Sequence, residues 1–376
     1  MKNQSKYSSK KDLNITYLLG AGASYSSVPI WSEQAGSMVQ VADSIKRAIE
    51  SPGNVFDSKF LESDKYAGFD NDQVLYLNSL IEELNYFAEK ANSNNTIDSY
   101  AYILFKQGNN SELNRLKRVL SIYLDIWQFY QDSMPFRDFS NKKSNKKDFI
   151  DKRYIEWLNL ITNKDSNNLI NRNHQINILN WNYDLQVELA FKNMHQPDSF
   201  NCLTDINSKF KFLYEIESDD LDVFHLNGHH GFFSYENEFY STASTIFKKN
   251  YYEYLKNLFD NKHQFKLRGS KEYNYGLINF SWERKLSEKV LRIAAKTDIL
   301  IIIGYSFPQY NRYIDKQIID TVKKNSPLYI YYQDPTRDIN RVKRILRFEK
   351  LEHNENTNEF FVPDEFLYPE DIEVYV

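Results

Sequence analysis

Short apolar segments that end in small or polar residues recur along the chain. The clearest are residues 15–19 (ITYLL), 176–179 (INIL) and 299–303 (ILIII), and residues 223–226 and 328–332 repeat the pattern. Apolar runs of this length, bounded by turn residues, are typical of strands buried in a parallel sheet. The chain therefore predicts several buried strands that are distant from one another in sequence.

Most of these predicted strands lead into segments with helical spacing of apolar residues. The predicted helices cover residues 32–49, 185–191, 242–260, 282–296 and 311–322. Alternating strands and helices are typical of an α/β fold, here a Rossmann-like doubly wound parallel sheet. Such sheets bind ligands at the carboxyl ends of their strands, and the polar clusters of this chain fall at those ends.

The region between the first strand and the later strands has a different character. Its leucines recur at helical spacing and it lacks strand-like runs. We predict a polar N-terminal arm, a core made of two segments, a mostly helical insert or cap, and a C-terminal tail, at residues 1–13, 14–50 with 165–346, 51–164, and 347–376 respectively. The helical region fits a layer of one large domain equally well, and the tail fits either packing on the core or binding a neighbour.

Composition narrows the class of protein. A net charge of −4 and a pI near 6.0 give no global electrostatic reason to bind nucleic acid. The single cysteine, Cys202, excludes an internal disulfide and a cysteine-rich zinc site. No run approaches the roughly 18 apolar residues of a membrane helix, and the polar N-terminus does not resemble a signal peptide. We expect a soluble cytoplasmic protein that does not contact a membrane.

The turn after the first strand contains Gly20 and Gly22. Glycines in such a turn let the backbone approach a pyrophosphate closely. However, Tyr25 occupies the third glycine position, and residues 32–50 look helical where a second strand and its ribose-binding acid would be expected. This combination disfavours an NAD dehydrogenase. By itself, the glycine pair fits a structural tight turn as well as a nucleotide site.

The surrounding run, LLGAGASYSSVPIW, resembles the opening motif of sirtuins and sirtuin-like proteins. This resemblance implies NAD⁺ as the ligand and a loop shaped by Pro29 on the nicotinamide side. It implies that the residues lining the cofactor are Gly20, Ala21, Gly22, Ala23 and Ser24.

A second run, NWNYDLQVELAF, resembles the sirtuin-like T-x-N-Y-D signature, with Asn180 in place of threonine. The resemblance places Asn182 beside the nicotinamide ribose and the attacking water, Asp184 near the carboxamide, and Tyr183 in the cofactor site. These residue types suit cleavage of an N-glycosidic bond through an oxocarbenium-like sugar. The alternative is that Asn182 and Asp184 cap the following helix.

The third run, VFHLNGHHG, departs from the sirtuin pattern, in which a catalytic histidine directly precedes a glycine. Asn227 occupies that position. His225 lies two residues earlier, and side chains two apart on a strand point to the same face. The resemblance implies His225 as the base, with His229 as the alternative. A core histidine remains an alternative, whereas no acidic cluster completes a metal site with His230, so no metal is expected.

The fourth run, IIIGYSFPQYNRYID, resembles the late strand of sirtuin-like NAD⁺ hydrolases. The resemblance implies that residues of this run contact the cofactor or orient the loop, and that two polar residues after the next strand hold the adenosine ribose. These residues are Gly304, Tyr305, Ser306, Arg312 and Asp315, followed by Gln333 and Asp334.

The four runs occur in the same order as the sirtuin motifs. Their residues resemble those of the sirtuin-like partners of HerA-type ATPases in bacterial antiphage defence. The resemblance implies an enzyme that depletes NAD⁺ by hydrolysing it to nicotinamide and ADP-ribose, a homo-oligomer, and a HerA-like ATPase as a partner. The two CxxC pairs of classical sirtuins are absent, which removes their zinc module and disfavours deacylation.

Two other functions remain open. The chain could be a catalytically weak sensor that binds NAD⁺ or ADP-ribose and scaffolds an ATPase, which the Asn227 departure favours. It could also be a DNA-processing subunit, for which the lysines at 142–147 are the evidence. The mild acidity and the lack of a metal cluster disfavour this second alternative.

Overall fold

The computed structural model describes residues 13–50, 68–130, 150–161, 163–164, 170–171, 175–194, 222–235, 238–241, 251–267, 274–275, 278–283, 285–324, 329–334, 357–360 and 365–367. Most of the predicted N-terminal arm and of the C-terminal tail lies outside these residues. So do residues 242–250 of a predicted helix, Leu328 of a predicted strand, and the lysines at 142–147.

The described strands and helices follow the alternation that the sequence predicts. The strands are β1 (Asn14–Leu19), β2 (Asn163–Lys164), β3 (Ile170–Asn171), β4 (Gln175–Asn180), β5 (Asp222–His225), β6 (Phe232–Tyr235), β7 (Glu238–Ser241), β8 (Asn274–Tyr275), β9 (Ile299–Ile303), β10 (Tyr329–Gln333) and β11 (Thr357–Phe360). The helices are α1 (Gln34–Glu50), α2 (Asn71–Ser93), α3 (Ile97–Lys106), α4 (Asn110–Phe129), α5 (Lys152–Ile161), α6 (Gln186–Met194), α7 (Tyr251–Leu267), α8 (Glu288–Lys296) and α9 (Arg312–Val322).

The main sheet has six strands in the order β11-β10-β9-β1-β4-β5, and all of its pairings are parallel. Numbered by their order in the chain, these strands run 3-2-1-4-5-6 from one edge, which is compatible with a Rossmann-like fold. The strand order reverses between β1 and β9, where Leu19 pairs with Ile303. Ligands of such sheets bind at this switch point, outside the carboxyl ends of the strands.

Alternating side chains of the sheet enter two separate hydrophobic clusters. Tyr17 and Ile301 belong to the larger cluster, whereas Leu18 and Ile302 belong to the smaller one. Helices α8 and α9 cover the smaller cluster, and helices α1 to α7 contribute to the larger one. Because successive strand residues point to opposite faces, this division shows helices on both faces of the sheet, as the doubly wound prediction requires.

The helices between β1 and β4 pack into the core of the sheet. Leu80 of α2 and Leu116 of α4 are buried in the same cluster as Tyr17. Trp157 of α5 meets the Tyr17 ring edge-on, with 4.7 Å between the ring centroids. These described helices therefore share one hydrophobic core with the strands.

Two boundaries differ from the prediction. The amphipathic pattern at 282–296 forms a helix only from Glu288, because the Ser287 side chain accepts a hydrogen bond from the Val290 amide and caps the helix there. The sixth strand of the sheet, β11, comes from the segment set apart as a tail. The described part of that tail therefore packs on the core.

Smaller features complete the described chain. Strands β2 and β3 form an antiparallel pair, and β6 pairs antiparallel with both β7 and β8. Among the described helices, none combines the length and the apolar character needed to cross a bilayer.

Candidate functional site

The turn after β1 packs directly against the end of β9. Gly304 has a φ of +58°, and a Cβ added there would lie 2.6 Å from Gly22 Cα and would also overlap the Ala23 nitrogen. A Cβ on Gly22 would in turn lie 2.8 Å from Gly304 Cα. A side chain at either position would collide with backbone, so the glycines are required by the close approach of two loops at the switch point.

The backbone amides of this turn are largely engaged within the protein. The Gly20 amide donates to Ile303 O at 3.0 Å, the Gly22 amide to Gly304 O at 2.9 Å, and the Ala23 amide to Gly20 O at 2.8 Å. In a phosphate-binding turn such amides point toward the ligand. The Gly20 and Gly22 amides instead fasten the turn to the end of β9, and the Ala23 amide closes the turn on itself, so a cofactor would have to meet other groups of the loop.

Asn182 is held close to this turn by its own hydrogen bonds. Its Nδ2 donates to Gly20 O at 2.9 Å and to Ser24 Oγ at 3.2 Å, and its amide donates to Asn180 Oδ1 at 3.0 Å. Among the described residues, no donor reaches its Oδ1. The structure thus brings Asn182, Gly20 and Ser24 together, and one amide oxygen of Asn182 is left to accept a hydrogen bond from elsewhere.

Asp184 lies buried beside the same serine. Its carboxylate accepts the Gln186 amide at 3.1 Å, at the start of α6, and it also interacts with Ser24. Burial raises the pKa of Asp184 to about 6, against the opposing effect of these hydrogen bonds. The hydrogen bond from Gln186 agrees with the helix-capping alternative for Asp184. In addition, Asp184 and Asn182 both contact Ser24, which links the two residues.

His225 is fully enclosed and uses both ring nitrogens. Its Nε2 lies 2.7 Å from Glu188 Oε1, and its Nδ1 lies 3.2 Å from Asn182 O. Burial lowers the pKa of His225, but Glu188, Asn182 and Asp184 together outweigh burial and raise it above the usual value. We call Ser24, Asn182, Asp184, Glu188 and His225 the asparagine network.

The neighbouring histidines have different surroundings. His229 Nδ1 donates to His230 O at 2.7 Å, which leaves the lone pair of a neutral ring on Nε2. Burial, followed by His225, lowers the pKa of His229 well below its usual value. His230 Nδ1 lies 2.5 Å from Asp125, and its Nε2 contacts Gln128. The described residues contain no group of three or more side chains arranged to hold a metal ion.

Asn227, which directly precedes Gly228, is buried at the same edge of the sheet. Its Nδ2 donates weakly to Trp181 O at 3.4 Å, whereas its Oδ1 has no hydrogen-bond partner among the described residues. Tyr183 is half-buried and donates to Asp98 Oδ1 at 3.4 Å. Burial raises the pKa of Asp98 to about 6.

The residues predicted after β9 form a separate cluster. Tyr305 donates its hydroxyl proton to Asp315, with both carboxylate oxygens at 2.9 Å, and accepts from Asn311 Nδ2 at 3.1 Å. Its ring stacks on Trp181 within the smaller hydrophobic cluster. We call Tyr305 and Asp315 the tyrosine–aspartate pair. The remaining two predicted residues of this run, Ser306 and Arg312, are exposed.

The last three predicted positions lie in two places. Gln333 and Asp334 are at the end of β10, and Pro29 is in the loop that follows the glycine turn. Gln333 is buried, donates to Glu365 O at 2.6 Å and accepts the Leu367 amide at 3.1 Å. Its side chain therefore holds the C-terminal segment, while Asp334 is half-buried at the end of β10. Pro29 is buried after the turn.

Three residues near the turn were missed by the sequence reasoning. Glu188 lies on α6, Tyr154 bonds Ser24 Oγ at 3.0 Å, and Arg153 donates to Ala23 O at 2.9 Å and pairs with Asp151. Only Glu188, four residues after Asp184 and thus on the same side of a predicted helix, carried a sequence signal. Arg153 and Tyr154 come from α5, whose position over the turn depends on tertiary packing.

Taken together, hydrogen bonds join the first, second and third runs at the carboxyl ends of β1, β4 and β5, whereas the tyrosine–aspartate pair meets the second run through the packing of Tyr305 on Trp181. A scan against protein-family models finds no match to this chain, and a search of curated proteins finds no similar sequence.

Proposed function

We propose that the protein is an NAD⁺ hydrolase with a sirtuin-like core, which cleaves NAD⁺ to nicotinamide and ADP-ribose. The observation that carries this proposal is the asparagine network. Three runs that resemble the sirtuin motifs, from distant parts of the chain, share one set of buried hydrogen bonds at the switch point of the sheet. This is the place at which a parallel sheet of this strand order binds its ligand.

The chemistry requires little acid catalysis. The C1′–N1 bond breaks with its electron pair going to the positively charged pyridinium nitrogen, so nicotinamide leaves neutral. A water oxygen then bonds to C1′ and loses a proton, which yields ADP-ribose. The sugar resembles an oxocarbenium ion in the transition state, so fixed hydrogen-bond acceptors and negative charge stabilise it.

Two groups of the network suit these demands. Asn182 Oδ1 is an acceptor that no described residue uses, and the rest of Asn182 is tied down, so it can orient a ribose hydroxyl or the attacking water. Asp184 has a pKa of about 6, so it is mostly ionised at neutral pH and its charge favours the cationic sugar.

The proposal extends to biological context through the resemblance. We propose a homo-oligomer that depletes NAD⁺ during antiphage defence and associates with a HerA-like ATPase, without zinc. Co-purification of the tagged protein with such an ATPase, and its mass in solution, test these two associations independently of catalysis.

The test of the activity is release of nicotinamide from NAD⁺, measured by chromatography with and without the ATPase. We expect Asn182→Ala to lower the rate by about 100-fold, because a positioned acceptor is lost from the transition state. Asn78→Ala, which removes an exposed asparagine on α2, is the matched control and should leave the rate unchanged. Equal rates for the wild type and Asn182→Ala would contradict the proposal.

A sensor that binds NAD⁺ or ADP-ribose without turnover is the second candidate. It is favoured by two observations: three turn amides are engaged by the protein, and both nitrogens of His225 have protein partners. Calorimetric titration with ADP-ribose distinguishes the two functions. Binding without nicotinamide release under any condition would favour the sensor.

A further inference from the structure

A chain of buried hydrogen bonds runs from α6 to the main chain of Asn182. Glu188 Oε1 lies 2.7 Å from His225 Nε2, and His225 Nδ1 lies 3.2 Å from the Asn182 carbonyl oxygen. The side chains of Glu188 and His225 both have no exposed surface. In addition, Asn180 and His225 are paired neighbours on β4 and β5. The hydrogen bonds therefore connect α6 and β5 to the segment that follows β4.

The positions of the protons follow from the partners. A carbonyl oxygen can only accept, so His225 Nδ1 must carry a hydrogen. The remaining nitrogen, Nε2, faces a carboxylate oxygen, and one proton must lie in that contact whether it resides on the ring or on Glu188. In this arrangement neither ring nitrogen presents a lone pair to a water molecule in the site.

The charges around His225 support the same conclusion. Glu188 and, to a smaller extent, Asn182 and Asp184 raise the pKa of His225, and the net shift is upward despite burial, which favours retention of the proton shared with Glu188. His229 is a further titratable neighbour among the described residues. Burial and, to a smaller extent, His225 lower the pKa of His229 well below its usual value, so that ring stays neutral. The second oxygen of Glu188 has no hydrogen-bond partner among the described residues, which makes loss of the shared proton costly.

We propose that Glu188 and His225 are positioning residues that fix the main chain of Asn182, and that His225 is not the general base. This inference rests on the proposed NAD⁺ hydrolysis. Asn182 is then held at its amide by Asn180, at its carbonyl by His225, and at Nδ2 by the turn. After these contacts with described residues, the side-chain oxygen is the polar atom of Asn182 left for the substrate, and its direction is set by all three anchors.

Two substitutions of Glu188 separate positioning from proton transfer. Glu188→Gln keeps a hydrogen-bonding group opposite Nε2 but removes the charge, so kcat should fall by no more than about tenfold, the upper end of what one net hydrogen bond contributes. Glu188→Ala removes the support for the ring, so kcat should fall by about 100-fold with little change in KM, as expected for a misplaced reacting group. Asn193→Ala, on an exposed position of α6, is the control.

A role of His225 as the base predicts a different pattern. Loss of the carboxylate behind a basic histidine lowers turnover by about 10⁴-fold in enzymes that use such a pair. Glu188→Gln would then be as damaging as Glu188→Ala, and the acidic limb of the pH–rate profile would move with the pKa of His225. Either result, or full activity in Glu188→Ala, overturns the inference.

A spectroscopic measurement decides the inference even if the wild type releases no nicotinamide. In protein labelled with ¹⁵N at histidine and asparagine, His225 should show a proton on Nδ1 throughout the titration. The side-chain amide signal of Asn182 should shift in Glu188→Ala and stay near its wild-type position in Glu188→Gln. An Asn182 signal that is unaffected by Glu188→Ala would overturn the positioning role. Failure of the hydrolysis alone would count only against the proposed function.

Discussion

The asparagine network and the tyrosine–aspartate pair both lie near the carboxyl ends of the strands, and they differ in how their polar atoms are satisfied. The network joins residues from the segments that follow β1 and β4, from β5 and from α6, and it leaves one acceptor, Asn182 Oδ1, unused by the described residues. In the pair, Tyr305 and Asp315 satisfy each other ten residues apart, within a hydrophobic cluster.

Under the proposed function, this difference separates a ligand site from a structural contact. A buried polar group whose partners lie within the same loop and helix stabilises that loop. A group held by three distant segments, with one atom left over, is pre-organised for a ligand. Both regions carried the same kind of sequence signal, polar residues after a buried strand, and only the pattern of partners tells them apart.

The largest expected effect is at the boundary of the two regions. Gly304→Ala should lower the free energy of unfolding by about 4 kcal/mol, because alanine is strained at φ +58° and its Cβ would overlap the turn. Denaturant titration measures this change. Gly36→Ala, in α1 where a Cβ meets nothing within 4 Å, is the control and should stabilise the protein by roughly 0.5–1 kcal/mol. Equal stability of the two variants would contradict the packing described at the switch point.

A substitution of Asp184 tests whether a buried carboxylate in the asparagine network lowers the free energy of unfolding. Burial raises its pKa from 3.8 to about 6, so the folded state binds this proton more tightly than the unfolded state does. The contribution of Asp184 to stability is therefore lost as the pH rises between these two values, and the loss is roughly 3 kcal/mol at neutral pH.

Asp184→Asn should accordingly be more stable than the wild type at pH 7 by roughly that amount, and not at pH 4. Unfolding curves at the two pH values measure the difference. Asp320→Asn, on an exposed position of α9, controls for the loss of one carboxylate. An advantage that is equal at both pH values would show that the carboxyl of Asp184 is not the cause.

Tyr305 tests the structural interpretation of the pair. Tyr305→Phe leaves the buried Asp315 carboxyl without its hydroxyl donor, which should cost about 2 kcal/mol of stability. The affinity for NAD⁺ should stay within about twofold, because the lost contact lies within the protein. Tyr313→Phe, at an exposed tyrosine, is the control. A large loss of affinity with unchanged stability would return Tyr305 to the cofactor site that the sequence predicted.

The smallest effect is expected at Gln333, whose side chain holds the C-terminal segment. Gln333→Ala removes its contacts with Glu365 and Leu367 and should cost about 1 kcal/mol of stability. The affinity for NAD⁺ should not change, and calorimetry checks this. Gln40→Ala on the exposed side of α1 is the control. Weaker binding would instead support the predicted contact with the adenosine ribose.

The sequence by itself determined the strands and the kind of sheet. Residues 15–19 and 299–303 are apolar at every position or nearly so, because a central parallel strand is covered on both faces, and both are strands of the sheet. The grouping of Asn182 with the glycine turn also followed from sequence, since strand ends of a parallel sheet meet at one edge. Element boundaries were less certain, as the start of α8 at Glu288 shows, because a capping serine outweighs an amphipathic pattern.

Tertiary structure alone decided which polar residues share a site. Asp315 and Asp184 look alike in sequence, yet the first is satisfied by Tyr305 and the second by Ser24 and the start of α6. Glu188 meets His225, and Gln333 meets the C-terminal segment, through contacts between segments distant in the chain. Hydrophobic periodicity is a local property of the sequence, so strands and helices can be predicted from it. The partner of a buried polar atom depends on distances across the fold, which no local pattern encodes.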